Sequence, residues 1–551
     1  MKRLPVIFLG GLLVVAIGVP VSGILTGPAT TSPGATTAPG ATTGATVPSP
    51  TPTGSGTTPD PAPPPTPAGT STLPPTASPA PIAEVPIVPI TQFRSTRTST
   101  GADEVADVLA GRSVRYGALF LVADEADAVL TTLGLERPTD PDRLVLFATA
   151  DALTRALAKD RKRLAFLRAD DVTPAVRALA WGKRALFGVG RVTALGEWRL
   201  LARLPAPSVA PAFDPGATWT MFAGGDILLD RGVYETVRVK GKGVDFPFDG
   251  GTAEITSRYC CSSFGWELPR TQRTGNHGVV RDLISGADLA IANFENPAPN
   301  KVRWHTKGTV FSADPGIING LAKAGIDYVG LANNHIGDAG RAGILQTIKN
   351  LDKRGLAHSG AGKDEAAARR PAMLEVNGST VAILAYDRIA KDYFADADSA
   401  GSAGLSAKRV KVDIAKARKA GADVVIVFPH WGTEYRDSPF AAQQSLAHQI
   451  IDAGADMIIG NHAHWAAAME VYEGKPIWYA LGNFVFDQTW SEPTMEGITL
   501  ELTFHGGTLA QARIRPHIIL DKAQPNFLDP AGDGRVVMSQ VFGGPKGMLP
   551  W

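Results

Sequence analysis

Apolar residues occur along this chain in short runs that alternate with stretches of helical spacing. Such runs, bounded by polar or turn-forming residues, are typical of buried strands in an α/β protein. Within residues 214–522 we predict strands at 219–223, 289–292, 328–332, 381–385, 424–428, 457–459 and 477–481. This region is therefore predicted to be one α/β domain.

Two of the helices between these strands carry clear end signals. Asp314 and Pro315 suit the start of a helix, and Gly325 suits its end. The next helix repeats apolar residues at helical spacing over 344–351 and is predicted to stop at Gly355. Strands and helices thus alternate, as a parallel sheet requires.

An earlier region, residues 91–213, shows the same alternation on a smaller scale. Here we predict strands at 118–123, 144–148, 164–167 and 185–189, and helices over 151–160 and 174–179. The pattern indicates a small α/β domain. No motif in it carries catalytic or binding chemistry, so its role is unknown.

Composition separates these domains from two further segments. Residues 27–90 hold 18 of the 42 prolines and only two charged residues. Such a segment cannot bury enough apolar surface to fold, so it is predicted to be a disordered stalk. Residues 523–551, which contain several glycines and prolines, are predicted to form an irregular tail.

Residues 1–26 predict the location of the protein. Lys2 and Arg3 precede an uncharged, mostly apolar stretch that is long enough, at about 20 residues, to cross a bilayer. The basic residues favour the inner side, so an N-terminal membrane anchor would hold the chain at the cell surface. The alternative is a signal peptide cleaved after Gly23, which would release a secreted protein.

Charge and cysteine content exclude several classes of protein. Lys and Arg total 54 against 53 Asp and Glu, so no overall positive field points to a nucleic-acid partner. The only cysteines, Cys260 and Cys261, are neighbours. This excludes a zinc site built on cysteines, and short spacing favours two free thiols over a bridge between them.

Polar residues of metal-binding type follow directly on the predicted strands. They are Asp226, Glu295, Asn334, His335, His430, His462 and His464. Because the carboxyl ends of parallel strands share one edge of a sheet, we expect these side chains to converge. In an extended segment, His462 and His464 would also face the same centre.

This set of side chains predicts a metal-dependent hydrolase-type site. Carboxylate, amide and imidazole groups without thiolates suit Mn, Fe or Zn, with one or two ions per site. A pair of such ions shares a bridging carboxylate and promotes displacement by water. His335, oriented by Asp338 three residues later, could protonate the leaving group.

The order of these motifs resembles the CapA family, capsule-synthesis proteins of poly-γ-glutamate-producing bacteria that are related to calcineurin-like metallophosphatases. The motifs are Gly225-Asp226, Asn293-x-Glu295, Asn333-Asn334-His335-x-x-Asp338, His430-Trp431-Gly432, Gly460-x-His462-x-His464 and Gly482-Asn483-Phe484. The resemblance covers about residues 217–500. It implies a layered α/β/β/α sandwich for residues 214–522 and a part in synthesis, export or release of the polymer.

The resemblance also implies roles for the site residues. One metal ion would be bound by Asp226 and His464, and Glu295 would bridge to a second ion. The second ion would be bound by Asn334, His430 and His462, and His335 would be the general acid. The phosphatases carry a histidine where this chain has Leu228, a loss that the CapA family shares, so two-metal occupancy and hydrolysis stay open.

Basic residues near the Glu295 motif suggest the chemistry of the substrate. Arg303, Lys307 and Arg231 could pair with the carboxylates of an anionic polymer or of a small-molecule substrate. Solvated surface charge is the alternative interpretation. Capsule synthase subunits in the membrane are further expected partners.

Two other functions remain open from the sequence. One is a metallophosphoesterase that acts on nucleotides or phosphosugars, whose turnover would depend on His335. The other is a non-catalytic module that binds a polyanion or a synthase while its metal site is vestigial. Binding of that kind would survive the loss of His335 and weaken with the loss of Arg303.

Overall fold

The structure, a computed structural model, describes residues 80–206 and 212–544. The predicted membrane anchor or signal peptide and most of the predicted stalk lie outside the described residues. Within the described ranges, no helix combines the length and the apolar character needed to cross a membrane.

The first part of the described chain, residues 80–206, folds around a six-stranded sheet. The strands run in the order β4-β3-β5-β1-β6, and β8 pairs with β1. The strands are β1 Ile82–Gln92, β2 Ser99–Thr100, β3 Ala118–Val122, β4 Leu144–Phe147, β5 Arg163–Arg168, β6 Val176–Ala178, β7 Ala180–Trp181 and β8 Leu201–Pro205. The helices are α1 Ala102–Leu109, α2 Ala126–Leu133 and α3 Ala150–Leu157.

Three predictions for this part of the chain are wrong. Strand β1 begins at Ile82, inside the segment predicted to be a stalk, because its apolar side chains from Val85 to Ile90 are buried between neighbouring strands despite the prolines. Residues 174–179, predicted to be helical, contain strand β6. Residues 185–189, predicted to be a strand, form a loop.

The second part contains two large sheets, one of ten strands and one of six. The ten-stranded sheet has the order β11-β10-β26-β25-β24-β9-β12-β13-β14, with β23 paired to β9. The six-stranded sheet has the order β16-β17-β19-β20-β22-β21. The strands are β9 Thr218–Ile227, β10 Thr252–Tyr259, β11 Leu268–Gly275, β12 Leu289–Phe294, β13 Tyr328–Gly330, β14 Ala357–Ser359, β15 Ala361–Gly362, β16 Ala372–Val376, β17 Ser379–Asp387, β18 Gly401–Ser402, β19 Val424–His430, β20 Met457–Ile459, β21 Met469–Tyr472, β22 Lys475–Trp478, β23 Asn483–Val485, β24 Glu496–His505, β25 Thr508–Leu520 and β26 Gln524–Phe527.

Helices cover the outer face of each of these two sheets. The helices of this part are α4 Arg231–Tyr234, α5 Val279–Ser285, α6 Ile318–Ala324, α7 Gly340–Asp352, α8 Glu365–Ala368, α9 Ala407–Lys419, α10 Ala441–Asp452, α11 Glu492–Met495 and α12 Arg535–Phe542. Unlike the helices on the outer faces, α12 packs against the core between the sheets. Helix α6 begins later than predicted, because Asp314 caps a turn at Gly316 instead of the helix. Gly325 and Gly355 adopt left-handed backbone angles after α6 and α7, as their predicted places at helix ends require.

The two large sheets pack face to face, with helices outside both. On β9, Met221 faces the other sheet and shares a core with Ile383 of β17, whereas Phe222 faces α5 and α6. On β17, Leu384 points the opposite way from Ile383 and packs among residues of α9 and α10. The alternation of a strand's side chains thus builds three apolar layers. The predicted α/β/β/α sandwich is confirmed.

Two further predictions are corrected by this part of the structure. Residues 523–544, the described part of the tail predicted to be irregular, contribute β26 to the ten-stranded sheet and contain α12, where Val537 and Val541 are buried in the core between the sheets. Cys260 and Cys261, predicted to be free thiols, are joined by a disulfide.

Glu501 of β24 connects the first sheet to the sandwich. Its buried carboxylate accepts a hydrogen bond from the backbone of Val189 at 2.9 Å and pairs with Arg515 at 2.6 Å and Arg513 at 3.4 Å. Burial alone would raise the pKa of Glu501, but the two guanidinium groups outweigh it and lower that pKa to about 2. The ionised carboxylate therefore stabilises the fold.

Replacing Glu501 with Gln is expected to lower the free energy of unfolding by about 3 kcal/mol at neutral pH, because it leaves buried guanidinium charge without its partner. The carboxylate is ionised in the folded protein down to a pH of about 2, and in the unfolded chain only above about 4.3. Its contribution is therefore present above that range and is lost as the pH falls towards 2. Urea unfolding at several pH values measures the difference, with Glu254→Gln on the exposed face of β10 as the control. An unchanged denaturation midpoint for E501Q would contradict this account.

Candidate metal centre

The candidate site lies where parallel strands of both large sheets end. Strands β9, β12 and β13 are parallel neighbours in one sheet, and β19 and β20 are parallel neighbours in the other. Asp226 lies near the end of β9, Glu295 directly follows β12, and His430 ends β19. His462 and His464 lie in the bend after β20. All five of these side chains are buried.

Glu295 is the central residue of the site. It is fully buried, and neither of its carboxylate oxygens accepts a hydrogen bond from any described residue. Oxygen Oε1 lies 3.4 Å from Nε2 of His430 and 3.8 Å from Nε2 of His464. A buried carboxylate without a donor is costly unless a cation or a proton satisfies it.

Glu295 belongs to two groups of three side chains whose ligand atoms all lie within 4.8 Å of one another. The first group is Asp226, Glu295 and His464. The second group is Glu295, His430 and His462, and Nε2 of its His430 also lies 2.7 Å from the amide oxygen of Asn334. These two groups correspond to the two sets of metal ligands that the resemblance implied, and Glu295 is common to both.

The distances within the second group suit ligands of one ion. Nδ1 of His462 lies 3.1 Å from Nε2 of His430, which in turn lies 2.7 Å from Asn334 and 3.4 Å from Glu295. Ligands placed about 2.0–2.2 Å from a common cation are separated by about this much. The donor set is nitrogen and oxygen only, which fits Mn, Fe or Zn.

Burial lowers the pKa values of the imidazoles, which favours metal binding because a ligand imidazole must be neutral. Burial raises the pKa values of the carboxylates, which opposes metal binding because a ligand carboxylate must be ionised. Burial lowers the pKa of His464 to about 3 and that of His462 to about 4, and lowers the pKa of His430 well below its usual value. The imidazoles are therefore neutral ligands at physiological pH. Burial also raises the pKa of Asp226 to about 7, and burial with the facing Asp226 raises that of Glu295.

Hydrogen bonds to neighbouring amides orient the first group. Nδ1 of His464 lies 2.9 Å from Oδ1 of Asn483 and donates to it, which leaves Nε2 free on the side of Glu295. The amide of Asn293 donates to Asp226 Oδ1 at 2.7 Å. Partners of this kind fix ligand orientation in metal sites.

His335 and Asp338 form a pair at the edge of the site. Nδ1 of His335 donates to Asp338 at 2.9 Å, and Nε2 faces Asn334 at 3.1 Å. Asp338 also accepts from the backbone of Phe311 at 2.7 Å and from Tyr393 at 3.1 Å. The imidazole is therefore held in one orientation, half-buried and outside both three-residue groups.

The backbone around the two histidines differs from the extended segment that the sequence suggested. His462 and His464 both have left-handed backbone angles, with φ of 92° and 56°, in a bend. They reach Glu295 through this bend and not through strand alternation. Nearby, a Cβ at Gly225 would collide with the carbonyl of Gly482, which accepts a hydrogen bond from Asp226 N at 3.0 Å. Only glycine fits this close approach.

A cavity of about 930 Å³ opens beside the His335–Asp338 pair. Arg303, Lys307 and Asp338 are among the residues that line it. Arg231 does not line this cavity: its guanidinium pairs with Asp487, donates to the carbonyl of Gly308 at 3.1 Å and lies over the Phe311 ring. Two of the three predicted substrate-binding side chains thus share one cavity, and Arg231 supports its wall.

Sequence reasoning missed three side chains that complete the site. Asn483 belongs to the Gly482-Asn483-Phe484 motif but has no role in the prediction, yet it orients His464. Tyr393, which holds Asp338, follows no strand, so no pattern pointed to it. Asp387 ends β17, is fully buried, and has a pKa that burial raises to about 6. Its place after the apolar run 381–385 was a signal that could have found it.

Replacing Asn483 with Ala is expected to weaken one cation-binding step by about 10–100-fold and to leave the other unchanged, because only His464 loses its orienting acceptor. Calorimetric titration of chelator-treated protein with Mn²⁺ measures both steps. Asn526→Ala, which removes a buried amide whose hydrogen bonds go to Gly251 and Gln524 and to no member of either ligand group, is the control. Two unchanged binding steps in N483A would contradict the assignment.

The four-layer sandwich, with its carboxylates, imidazoles and amides at the strand ends, defines a layered α/β domain that carries a candidate metal centre. Residues 220–488 match the family described as bacterial capsule synthesis protein PGA_cap. The resemblance to the CapA family of capsule synthesis proteins that the motifs carry is therefore confirmed for this part of the chain.

Curated relatives agree with the family match. A capsule biosynthesis protein CapA of Bacillus anthracis is 34% identical over 220 residues, which are 38% of this chain and 54% of that protein. A PGA biosynthesis protein CapA of Bacillus subtilis is 32% identical over 215 residues, 38% of this chain and 57% of that protein. The chain thus spans about half the length of these two relatives. A probable polyglutamine synthesis accessory protein of Mycobacterium tuberculosis is 27% identical over 292 residues, 49% of this chain and 74% of that protein.

Solved structures similar to this chain include two phosphoesterases. The calcineurin-like phosphoesterase YfkN of Bacillus subtilis covers 59% of this chain and 96% of its own, with 14% identity and a TM-score of 0.33. A 5'-nucleotidase precursor of Thermus thermophilus covers 59% of this chain and 58% of its own, with 13% identity and a TM-score of 0.34. The order of the layers in this chain follows from the contacts between its own sheets and helices.

Proposed function

We propose that this protein takes part in poly-γ-glutamate capsule synthesis through a metal-dependent hydrolase-type site. The observation that carries the proposal is Glu295, a buried carboxylate without a hydrogen-bond donor that two groups of ligand-type side chains share. The role in capsule synthesis is supported by the name of the Bacillus anthracis relative, a capsule biosynthesis protein, and the choice of polymer by that of the Bacillus subtilis relative, a PGA biosynthesis protein.

The residues of the site divide the chemistry between them. Divalent cations, when bound, supply the Lewis acidity that activates water and neutralises charge on a departing oxygen or nitrogen. Asp226, Glu295, Asn334 and the three imidazoles would hold them. His335 delivers a proton from Nε2 to the departing group, while Asp338 holds Nδ1 and stabilises the imidazolium.

The cavity beside His335 supports an anionic substrate. Arg303 and Lys307 line it without any ion pair to a described carboxylate, and both are exposed. Their charges can pair with the carboxylates of a glutamate polymer, and Arg303 can do so with two parallel hydrogen bonds. We assign these two side chains to substrate binding.

Elemental analysis of the purified full chain tests the metal site. We expect one to two equivalents of a transition metal in the wild type, and a large loss in His462→Ala and in Asp226→Ala. His448→Ala is the matched control, since that imidazole pairs with Glu470 away from the site. Wild-type protein that carries no more metal than the two site variants would overturn the enzyme proposal.

A non-catalytic binding role is the second candidate, and Leu228 favours it. This side chain is fully buried in an apolar cluster with Phe311 and Phe486, so it offers no ligand to the first group. A first cation bound by three side chains only would be held weakly. Binding of a γ-linked glutamate oligomer that is unchanged in His335→Ala but weaker in Arg303→Ala, without metal-dependent turnover, would favour this role.

We further propose that the chain acts at the cell surface, beside synthase subunits in the membrane. The support is the apolar stretch of residues 4–25 after two basic residues, followed by a proline-rich stalk. Fractionation of cells that express the full chain tests this: recovery in the cytosol would contradict it, and recovery in the medium would favour signal cleavage.

A further inference from the structure

A second basic cavity lies outside the metal centre, between the first sheet domain and the C-terminal helix α12. Its volume is about 750 Å³. Five arginines and no carboxylates line this arginine cavity: Arg94, Arg97, Arg115, Arg161 and Arg535. None of these residues lies within the part of the chain that matches the capsule synthesis family, residues 220–488.

Most of this charge has no partner in the described part of the chain. Arg115 pairs with Glu104 at 2.9 Å. For the other four arginines, no described carboxylate lies within 4.0 Å. Arg94 packs over the ring of Phe542, and burial together with the nearby charge of Arg161 lowers the pKa of Arg94. An anion between Arg94 and Arg161 would remove this conflict of like charges.

The positive charge continues into the protein. A smaller cavity of about 180 Å³ is also lined by Arg94, and beyond it by Arg177, Arg513 and Arg515. Arg177 is only 8% exposed, and its Nε has no hydrogen-bond partner among the described residues. Glu501 pairs with both Arg513 and Arg515 but can offset only one of their charges, and Asp529 also lines this cavity, so three guanidinium groups face two carboxylates.

This arrangement differs from ordinary surface charge. Exposed arginines alone are usually a solvated surface. Here they line one concave space and exclude carboxylates from it, and a buried, incompletely bonded guanidinium lies in the adjoining cavity. Concave sites with a few convergent polar groups are where small ligands bind.

We propose that the arginine cavity binds a small molecule that carries a diphosphate group. A terminal diphosphate group carries up to about three negative charges near neutral pH, since its last proton titrates near pH 6 as in a phosphomonoester, and the four unpaired guanidinium groups can balance this charge. Guanidinium forks pair with phosphate oxygens through two parallel hydrogen bonds. Because the walls come from both the first sheet domain and the C-terminal segment, the ligand ties these two parts of the fold together. The proposal is independent of the proposed capsule function.

Calorimetry and thermal unfolding of the full chain, in EDTA and with pyrophosphate as the probe, test the site. We expect one saturable binding step and a raised midpoint of unfolding. Arg97→Gln combined with Arg161→Gln should weaken binding at least tenfold, because both exposed side chains lose their charge. Arg137→Gln, an exposed arginine of the same domain paired with Asp127, should leave binding unchanged.

Further measurements distinguish binding in the arginine cavity from binding at the metal centre, and binding of a diphosphate from binding of other anions. Binding of pyrophosphate that persists in His462→Ala, and that exceeds binding of orthophosphate and citrate, supports the proposal. Binding lost in His462→Ala but kept in the double arginine variant would place the probe at the metal centre and overturn it. Equal affinity for citrate would overturn the diphosphate assignment, and no saturable binding by the wild type would overturn the site.

Discussion

Replacing Glu295 with Gln is expected to abolish tight binding of both cations, because its carboxylate belongs to both three-residue groups. For wild-type protein, a cation supplied at 100 times its dissociation constant adds about 2.7 kcal/mol to the free energy of unfolding for each site filled. In E295Q the same addition should change that free energy by less than about 1 kcal/mol. Urea unfolding with EDTA and with Mn²⁺ measures both values.

Glu470→Gln is the matched control for this experiment. Glu470 is also buried, but its oxygens accept hydrogen bonds from Tyr479 at 2.8 Å and Gln444 at 3.2 Å, and His448 lies 2.8 Å away. Its replacement should lower stability in EDTA yet preserve the full gain on adding Mn²⁺. A gain in E295Q as large as in the wild type would show that Glu295 is not a shared ligand.

The pH dependence of metal-free protein gives a second readout of Glu295. Burial and the facing Asp226 raise its folded pKa well above the value of about 4.3 in an unfolded chain. The folded state then binds more protons than the unfolded state, so the wild type loses stability as the pH rises above about 4.3. E295Q should show a shallower decline, with the remainder due to Asp226, whose pKa is raised to about 7.

The sheet of the sandwich could be predicted because its parallel strands are buried on both faces. Their sequences are continuous apolar runs, and the polar residues after them mark the strand ends. Strands β9, β12, β17 and β19 all contain the runs that the sequence indicated. The order of the strands could not be predicted, since apolar runs carry no information about which strands pair.

The elements that were missed have sequences that contradict their structure. Strand β1 contains Pro86 and Pro89, which argue against a strand, yet its residues 87–90 pair with β5 and its residues 82–86 with β8. The backbone carbonyl of Pro89 still accepts a hydrogen bond, from Leu179. Helix α12 lies in a segment of glycines and prolines, and the packing of Val537 and Val541 against the sheets stabilises it. Tertiary contacts decide both cases.

The candidate ligands could be named from the sequence, but the groups that orient them could not. Asp226, Glu295 and His430 each end or follow a strand, which is a local signal. Asn483 and Tyr393 act through contacts with residues 19 and 55 positions away, so no local pattern marks them. The arginine cavity is equally invisible in the sequence, because its walls come from both ends of the described chain.

Replacing His335 with Ala is expected to lower kcat by about 10²–10⁴-fold while the metal content stays at the wild-type level. The imidazole lies outside both ligand groups, and its role is to give a proton to the departing group. Asp338→Asn should lower kcat less, because it acts only through the orientation of that imidazole. Metal-dependent cleavage of a simple phosphodiester provides the assay.

Comparing substrates with different leaving groups distinguishes proton donation by His335 from a merely structural role of that residue. 4-Nitrophenolate departs readily without a proton, whereas the departing oxygen of an unsubstituted phenyl ester needs one. The loss of rate in H335A should therefore be larger for the phenyl ester. A structural defect would lower both rates equally and would also reduce the bound metal. Equal losses for the two esters would therefore remove His335 as the acid.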